Sequence, residues 1–115
     1  NSGYPIPGAI IEYTVTIVNS NATQADDVYL SDIIDSDVVL NLNLGDYGGN
    51  DVNVVNGAAT LACNVEDNDD GDGCDYDVGT SELLIGDVTE VGFTPISVAG
   101  NSTLTIQYRV TIPTP

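Results

Sequence analysis

The segment Asp67-Asn68-Asp69-Asp70-Gly71-Asp72-Gly73-Cys74-Asp75-Tyr76-Asp77 is where this chain concentrates residues able to do chemistry. Its six aspartates within eleven residues offer hard oxygen donors, of which calcium takes six to eight. Asn68-x-Asp70-x-Asp72-Gly73 fits the first half of a D-x-[DN]-x-[DN]-G calcium loop. The glutamate that such a loop needs at its twelfth position is absent, since Gly79 stands there, and no helical pattern flanks the segment. An EF-hand is therefore excluded. The candidate ligands are Asn68, Asp70, Asp72, Asp75 and Asp77, the last two alternating about Tyr76 as outer-face residues of a strand would. Without a cation these carboxylates repel one another, and the competing reading is a solvated acidic hairpin tip. Cys63 and Cys74 bracket most of the segment. With no histidine to share a metal, the pair reads best as a disulfide closing a loop of about 12 residues, a contribution of ~3 kcal/mol in the chain-entropy treatment. Such a bridge implies an oxidising compartment.

The elements that must position these residues belong to one domain, since 115 residues with 42% hydrophobic content suit a single two-layer core. Eighteen acids stand against one base, Arg109, for a net charge of −17. Nucleic acid is excluded as a partner, because phosphate contacts need clusters of Lys or Arg. Adhesion to an anionic membrane is disfavoured for the same reason, and no apolar run approaches the roughly 18 residues of a membrane-spanning helix. The chain has no His, Lys, Met or Trp. A histidine triad, a catalytic lysine and a Lys–Asn isopeptide cross-link are all ruled out within it. With no methionine and a start at Asn1, the chain reads as a processed form or an excised piece of something longer, with which a signal peptide or membrane anchor could have been lost.

Periodicity of two dominates. Ile11, Tyr13, Val15 and Ile17 alternate with more polar neighbours, as do Leu104, Ile106, Tyr108, Val110 and Ile112; these are the two longest strands. Shorter strands are expected around Asp27–Ile34, Val38–Leu44, Asp51–Val55, Ala58–Val65, Leu83–Val88 and Val91–Ile96, separated by Gly-, Asn- and Asp-rich turns. Asn56-Gly57 predicts a type I′ hairpin. The expected architecture is all-β: an immunoglobulin-like Greek-key β-sandwich of seven to eight antiparallel strands. Residues 8–112 form that domain. Residues 1–7, with Tyr4 and Ile6 their apolar members, form a Pro-rich connector or donor segment, and residues 113–115 a C-terminal connector.

Three stretches resemble a known family. Pro7-Gly8-Ala9-Ile10-Ile11-Glu12-Tyr13-Thr14-Val15-Thr16-Ile17-Val18-Asn19 resembles the "PGxxxxYTxTVxN" opening of the DUF11 family of bacterial and archaeal cell-surface repeats. Ala25-Asp26-Asp27-Val28-Tyr29-Leu30-Ser31-Asp32-Ile33-Ile34 resembles its next strand, and the stretch from Ile96 to Val110 its closing "LxPGxSxTLTIxxxV". The middle, from Asn41 to Gly86, is individual. The resemblance implies an immunoglobulin-like spacer, stalk or surface-layer element without catalytic residues. Two turns depart from the pattern, at Gly100 and at Ile33-Ile34-Asp35, so their conformations are open. Family members also carry a strand before the Pro-Gly corner, where this chain has only Asn1–Ile6. A missing strand would leave an open edge and a core groove, which fibre-forming proteins fill with a strand from a neighbour; the alternative is Tyr4–Ile6 filling it in cis. The acidic segment, for its part, resembles the helix-free calcium loops of thrombospondin type 3 repeats in composition and spacing. A looser group, Asp26, Asp27, Asp32, Asp35 and Asp37, reads as structural, with Asp32 capping a turn.

Asn21-Ala22-Thr23 and Asn101-Ser102-Thr103 are N-glycosylation sequons placed in turns. Together these features point to an extracellular or cell-surface location. The expected function is a structural subunit of a filament, pilus-like fibre or surface layer. Copies of the chain would be its partners, joined head to tail with strand exchange and stiffened by calcium. The alternative is an adhesin, carbohydrate-binding module or spacer repeat of a larger surface protein. That alternative lacks an aromatic platform: the six tyrosines are scattered, and Tyr13 and Tyr108 are expected in the core. Enzyme function is not expected, since 18 acids single out no catalytic pair.

Overall fold

The computed structural model describes residues 8–35, 37–41, 47–65, 72–86, 93 and 95–113. Within them the chain is an all-β sandwich of antiparallel strands, with no helix. The strands are β1 (Ile10–Asn19), β2 (Ala25–Val28), β3 (Leu30–Ile33), β4 (Val39–Leu40), β5 (Asn53–Asn56), β6 (Ala59–Leu61), β7 (Cys74–Asp77), β8 (Glu82–Ile85), β9 (Ile96–Val98) and β10 (Ser102–Thr111). One layer has the order β1-β10-β5-β6, with β4 also paired to the far end of β10. The other layer contains two short sheets, β2-β9 and β3-β8-β7.

β1 and β10 pair along their whole length, from Ile10 opposite Thr111 to Asn19 opposite Ser102. β-branched residues occupy most of both strands, as a pleated, half-covered surface favours. On the other side of β10, β5 takes Leu104–Gln107 and β4 takes Val110–Thr111. β10 is therefore the central strand of its sheet, and β1 lies at the margin. The ladder continues past β1, because the Gly8 amide donates to the Ile112 carbonyl at 2.7 Å and the Ile112 amide to the Ala9 carbonyl at 2.9 Å. The chain thus enters and leaves the described sandwich side by side at one pole.

Ten described strands replace the expected seven to eight, and the reasons are local. The segment expected as one strand, Asp27–Ile34, divides at Tyr29 and serves two sheets: β2 pairs with β9, β3 with β8. Asp27 adopts φ 55° and the β2–β9 register shifts between Ala25 and Val28, as at a bulge. The crossing is tight enough to need glycine. Gly86 has φ +95°, and a Cβ there would come within 2.7 Å of the Val28 carbonyl oxygen. β7, where Asp75 and Asp77 alternate about Tyr76 as strand residues do, pairs with β8. The hairpin is present but its turn is displaced: Asn56 pairs with Ala59, so Gly57 and Ala58 are the central residues. Only Gly57, at φ 62°, is left-handed, which is the type II′ pattern rather than I′. Asn56 stays in the strand, its side chain donating to the Ser97 carbonyl at 2.8 Å.

Val54, Leu104, Ile106, Tyr108 and Val110 from the first layer pack with Cys74, Leu83, Ile85, Ile96 and Val98 from the second in one buried cluster. Tyr108 is buried as expected, whereas Tyr13 is 42% exposed. The two rings lie 5.5 Å apart across the strand pair, but only the central strand is covered.

Candidate functional site: an acidic root and an open seam

The acidic segment emerges from a firmly held root. Cys63 and Cys74 form a disulfide, with Cα atoms 5.3 Å apart and both residues buried. Asp72 accepts the Asn64 amide at 2.6 Å through Oδ2 and the Cys74 amide at 2.9 Å through Oδ1. Across from it, residues 50–52 and 63–65 run alongside each other with side chains standing in for ladder groups. Asn50 Oδ1 accepts the Cys63 amide at 3.1 Å, Asn64 Oδ1 the Asp51 amide at 3.0 Å, and Asp51 Oδ2 the Val65 amide at 3.0 Å.

Of the five proposed calcium ligands, Asp72, Asp75 and Asp77 fall within the described residues. Asn68 and Asp70 lie outside the described residues. Asp72 lies two residues before β7 and Asp77 is its last residue. Asp77 is occupied otherwise: its Oδ1 accepts the Gly79 amide at 2.8 Å and the Thr80 amide at 3.3 Å, closing the β7–β8 turn. Asp75 sits opposite Leu84 in the β7–β8 ladder and is half-buried. Among the described residues no three acidic or cysteine side chains converge as metal ligands. The residue that sequence reasoning missed is Asp51, which is buried although its Asn-Asp context reads as the end of a turn.

The looser aspartate group is held by local hydrogen bonds. Asp35 Oδ1 accepts the Asp37 amide at 2.8 Å, capping a turn. Asp26 accepts from Gln24 at 2.8 Å and Ser97 at 3.0 Å, which hold its carboxyl below the usual range. Asp32 accepts the Tyr108 hydroxyl. Burial, with the Asp32 bond added, pushes that hydroxyl above the ordinary tyrosine range.

At one margin of the sandwich the two layers do not close among the described residues. β1 is the last strand of one sheet and β3 the last of its neighbour. Between them lies a cavity of about 200 Å³ lined by Tyr13, Ile33, Ile34, Val38 and Tyr108, together with Asp32 and Asp35. Among the described residues nothing pairs with the free edge of β1. Ile10, Ile11, Tyr13 and Val18 on β1, and Ile33 and Val39 nearby, remain exposed. A ten-residue edge strand with this much apolar surface is a template for another strand. Tyr4 and Ile6, the proposed assembly residues, lie outside the described residues.

On the opposite face of the same strands, the only base in the chain is engaged. Arg109 donates to Glu12 at 3.1 Å and lies over the Tyr47 ring, 5.1 Å from its centre. The Tyr47 hydroxyl also donates to Glu12 at 2.6 Å, and these two bonds lower the Glu12 carboxyl below its ordinary range.

The pole opposite the chain ends holds both sequons. Asn21 and Asn101 are exposed on adjacent turns, joined by the Asn101 amide donating to the Asn21 carbonyl at 2.9 Å. Beneath them the buried Asn19 side chain donates to the carbonyls of Thr23, Val98 and Ala99. Gly100 lacks the proline of the resembled pattern and is needed for itself, since a Cβ there would lie 2.1 Å from the Ala22 carbonyl oxygen.

No known protein family, curated protein or solved structure matches this chain. Nor is any described helix long and apolar enough to cross a membrane, a statement that does not bear on strands.

Proposed function

We propose that the protein is a structural subunit of an extracellular filament or surface layer, completed by a strand from a neighbouring copy. The observation that carries this reading is the open seam: a long edge strand that nothing pairs among the described residues, beside a groove lined by Tyr13, Ile33, Ile34, Val38 and Tyr108 with Asp32 and Asp35. Burying that face and pairing that edge would release apolar surface from water at about 25 cal/mol per Å² and satisfy the ladder at the same time. Residues 1–7 suit the donor role. They carry no acid in a chain of net charge −17, and Tyr4 and Ile6 alternate as groove-filling residues must. The disulfide and the two exposed sequons support an oxidising, extracellular setting in which sugars are attached at Asn21 and Asn101. Calcium, bound by the acidic segment with Asp72 and Asp75 at its edge, would relieve the self-repulsion that opposes assembly.

A spacer strung in series is the weaker reading, because the described chain enters at Gly8 and leaves at Ile112 side by side at one pole. Negative-stain microscopy of the secreted chain, with and without residues 1–7, tests the proposal. Fibres or sheets from the full chain and monomers from the truncated one are expected. Unaltered assemblies without residues 1–7 would refute strand donation, and a closed pair would refute an open polymer.

A further inference from the structure

The open seam carries two acids, Asp32 and Asp35, within its otherwise apolar and aromatic lining. β3 borders the seam as the last strand of its sheet. Asp32 lies in the row of residues that turns toward the core, between Leu30, which packs against the core cluster, and the buried Ile34. It is half-buried, and its Oδ2 accepts the hydroxyl of the buried Tyr108. Asp35 lines the same cavity just beyond β3, with Oδ1 on the Asp37 amide. A charge turned inward on an edge strand makes indiscriminate pairing costly. No base lines the cavity among the described residues. Arg109, next to Tyr108 on β10, stands on the opposite face, where Glu12 engages it.

A neighbouring copy brings no spare basic side chain either, since each chain has no lysine or histidine and a single arginine. For strands of this chain the choice at the seam is therefore between neutral and acidic ones. An acidic strand laid into the groove sets its carboxylate near Asp32 and Asp35 in a place partly shielded from water, where like charges repel far more than in bulk solvent. A neutral strand meets no such repulsion. We propose that Asp32, with Asp35 beside it, is the specificity-determining residue of the seam: it admits acid-free strands of a neighbouring copy and turns away acid-bearing ones. This rests on the strand donation proposed above and adds the rule by which the donor is chosen. The rule matters in a chain with 18 acids, because specificity is a difference between the right strand and the many wrong ones on offer.

Inhibition of full-chain assembly by short peptides, followed by light scattering, tests the inference. The probes are the segment of residues 1–7 with both ends blocked, and the same peptide with Ser2→Asp or Ser2→Asn, changes that leave Tyr4 and Ile6 in place. On the wild-type chain the unaltered and Ser2→Asn peptides should inhibit alike, and the Ser2→Asp peptide at least about tenfold more weakly. Asp32→Asn keeps an acceptor for the Tyr108 hydroxyl and removes the charge. On that chain the difference between peptides should largely close, whereas Asp37→Asn, outside the cavity lining, should leave it as in wild type. Equal inhibition by charged and neutral peptides on wild type, or an undiminished difference on Asp32→Asn, would overturn the inference and leave strand donation standing. Inhibition by none of the three would overturn both. Should Asp32→Asn not fold, added salt gives the answer on the wild-type chain: screening should narrow the difference between peptides, and a difference indifferent to salt refutes selection by charge.

Discussion

β1 and β10 carry the same alternation, lie side by side in full register, and meet opposite fates. Leu104, Ile106, Tyr108 and Val110 are 0 to 2% exposed, whereas their cross-strand partners Ile17, Val15, Tyr13 and Ile11 are half-buried or exposed, Ile11 at 37%. The difference is not in the residues but in the neighbours. β10 has a strand on either side and the second layer above it, while among the described residues β1 has one neighbour and an open seam. An alternating pattern therefore specifies which face seeks cover, and only the tertiary arrangement decides whether cover is supplied from within the chain.

The sharpest way to break this comparison is to truncate matched positions. Leu104→Ala should cost about 2–5 kcal/mol, and Ile17→Ala about 1 kcal/mol because much less is buried there. Urea unfolding of the monomer measures both, and equal losses would mean that β1 is covered after all. Next in size is the bridge that secures the far side of the sandwich from the seam. Replacing Cys63 and Cys74 together by serine should remove ~3 kcal/mol, with β7 losing amide-exchange protection before β1 and β10 do. The tyrosine pair gives a smaller effect. Tyr108→Phe loses the bond to Asp32 and should cost about 1 kcal/mol, whereas Tyr13→Phe should stay within about 0.5 kcal/mol. A like cost at both would place Tyr13 in a polar network that the present geometry lacks.

The smallest effect lies on the outer face of the same two strands. Glu12 is held below its ordinary value of 4.5 by Tyr47 and Arg109. A carboxyl depressed on folding contributes stability above its unfolded pKa and loses it as pH falls through the folded one. Glu12→Gln should therefore flatten slightly the acid limb of the stability profile below about pH 4.5 and leave neutral pH almost unchanged, as expected for an exposed ion pair. A large loss at neutral pH would show that the Arg109 cluster is structural.

The long strands were legible because ten alternating, β-branched residues leave little else to form, and the disulfide because two cysteines permit one pairing. The turn chemistry was half legible: Asn56-Gly57 marked a hairpin, but the ladder between Val54 and Leu61 set its register and moved the turn by one residue. The switch between sheets at Tyr29 was hidden, since Asp27–Ile34 reads as one strand and its division depends on Gly86, far along the chain. β7 was half legible: its aspartates suggest a calcium loop, yet Asp75 and Asp77 alternate about Tyr76 as strand residues do, and Cys74 and Tyr76 belong to the core packing. Asp51 was the least visible, because the cost of burying a charge follows from what surrounds it and a lone aspartate beside a strand carries no mark of that.

Amide hydrogen exchange, compared between dissociated chains and the assembled material, bears most directly on the open seam. In dissociated chains the β1 amides that point away from β10 should exchange at least tenfold faster than their neighbours bonded to β10, and assembly should bring them to the same protection while β10 stays unchanged. Outward β1 amides already protected in the dissociated chain, or still unprotected after assembly, would contradict completion of this sandwich by a neighbouring strand.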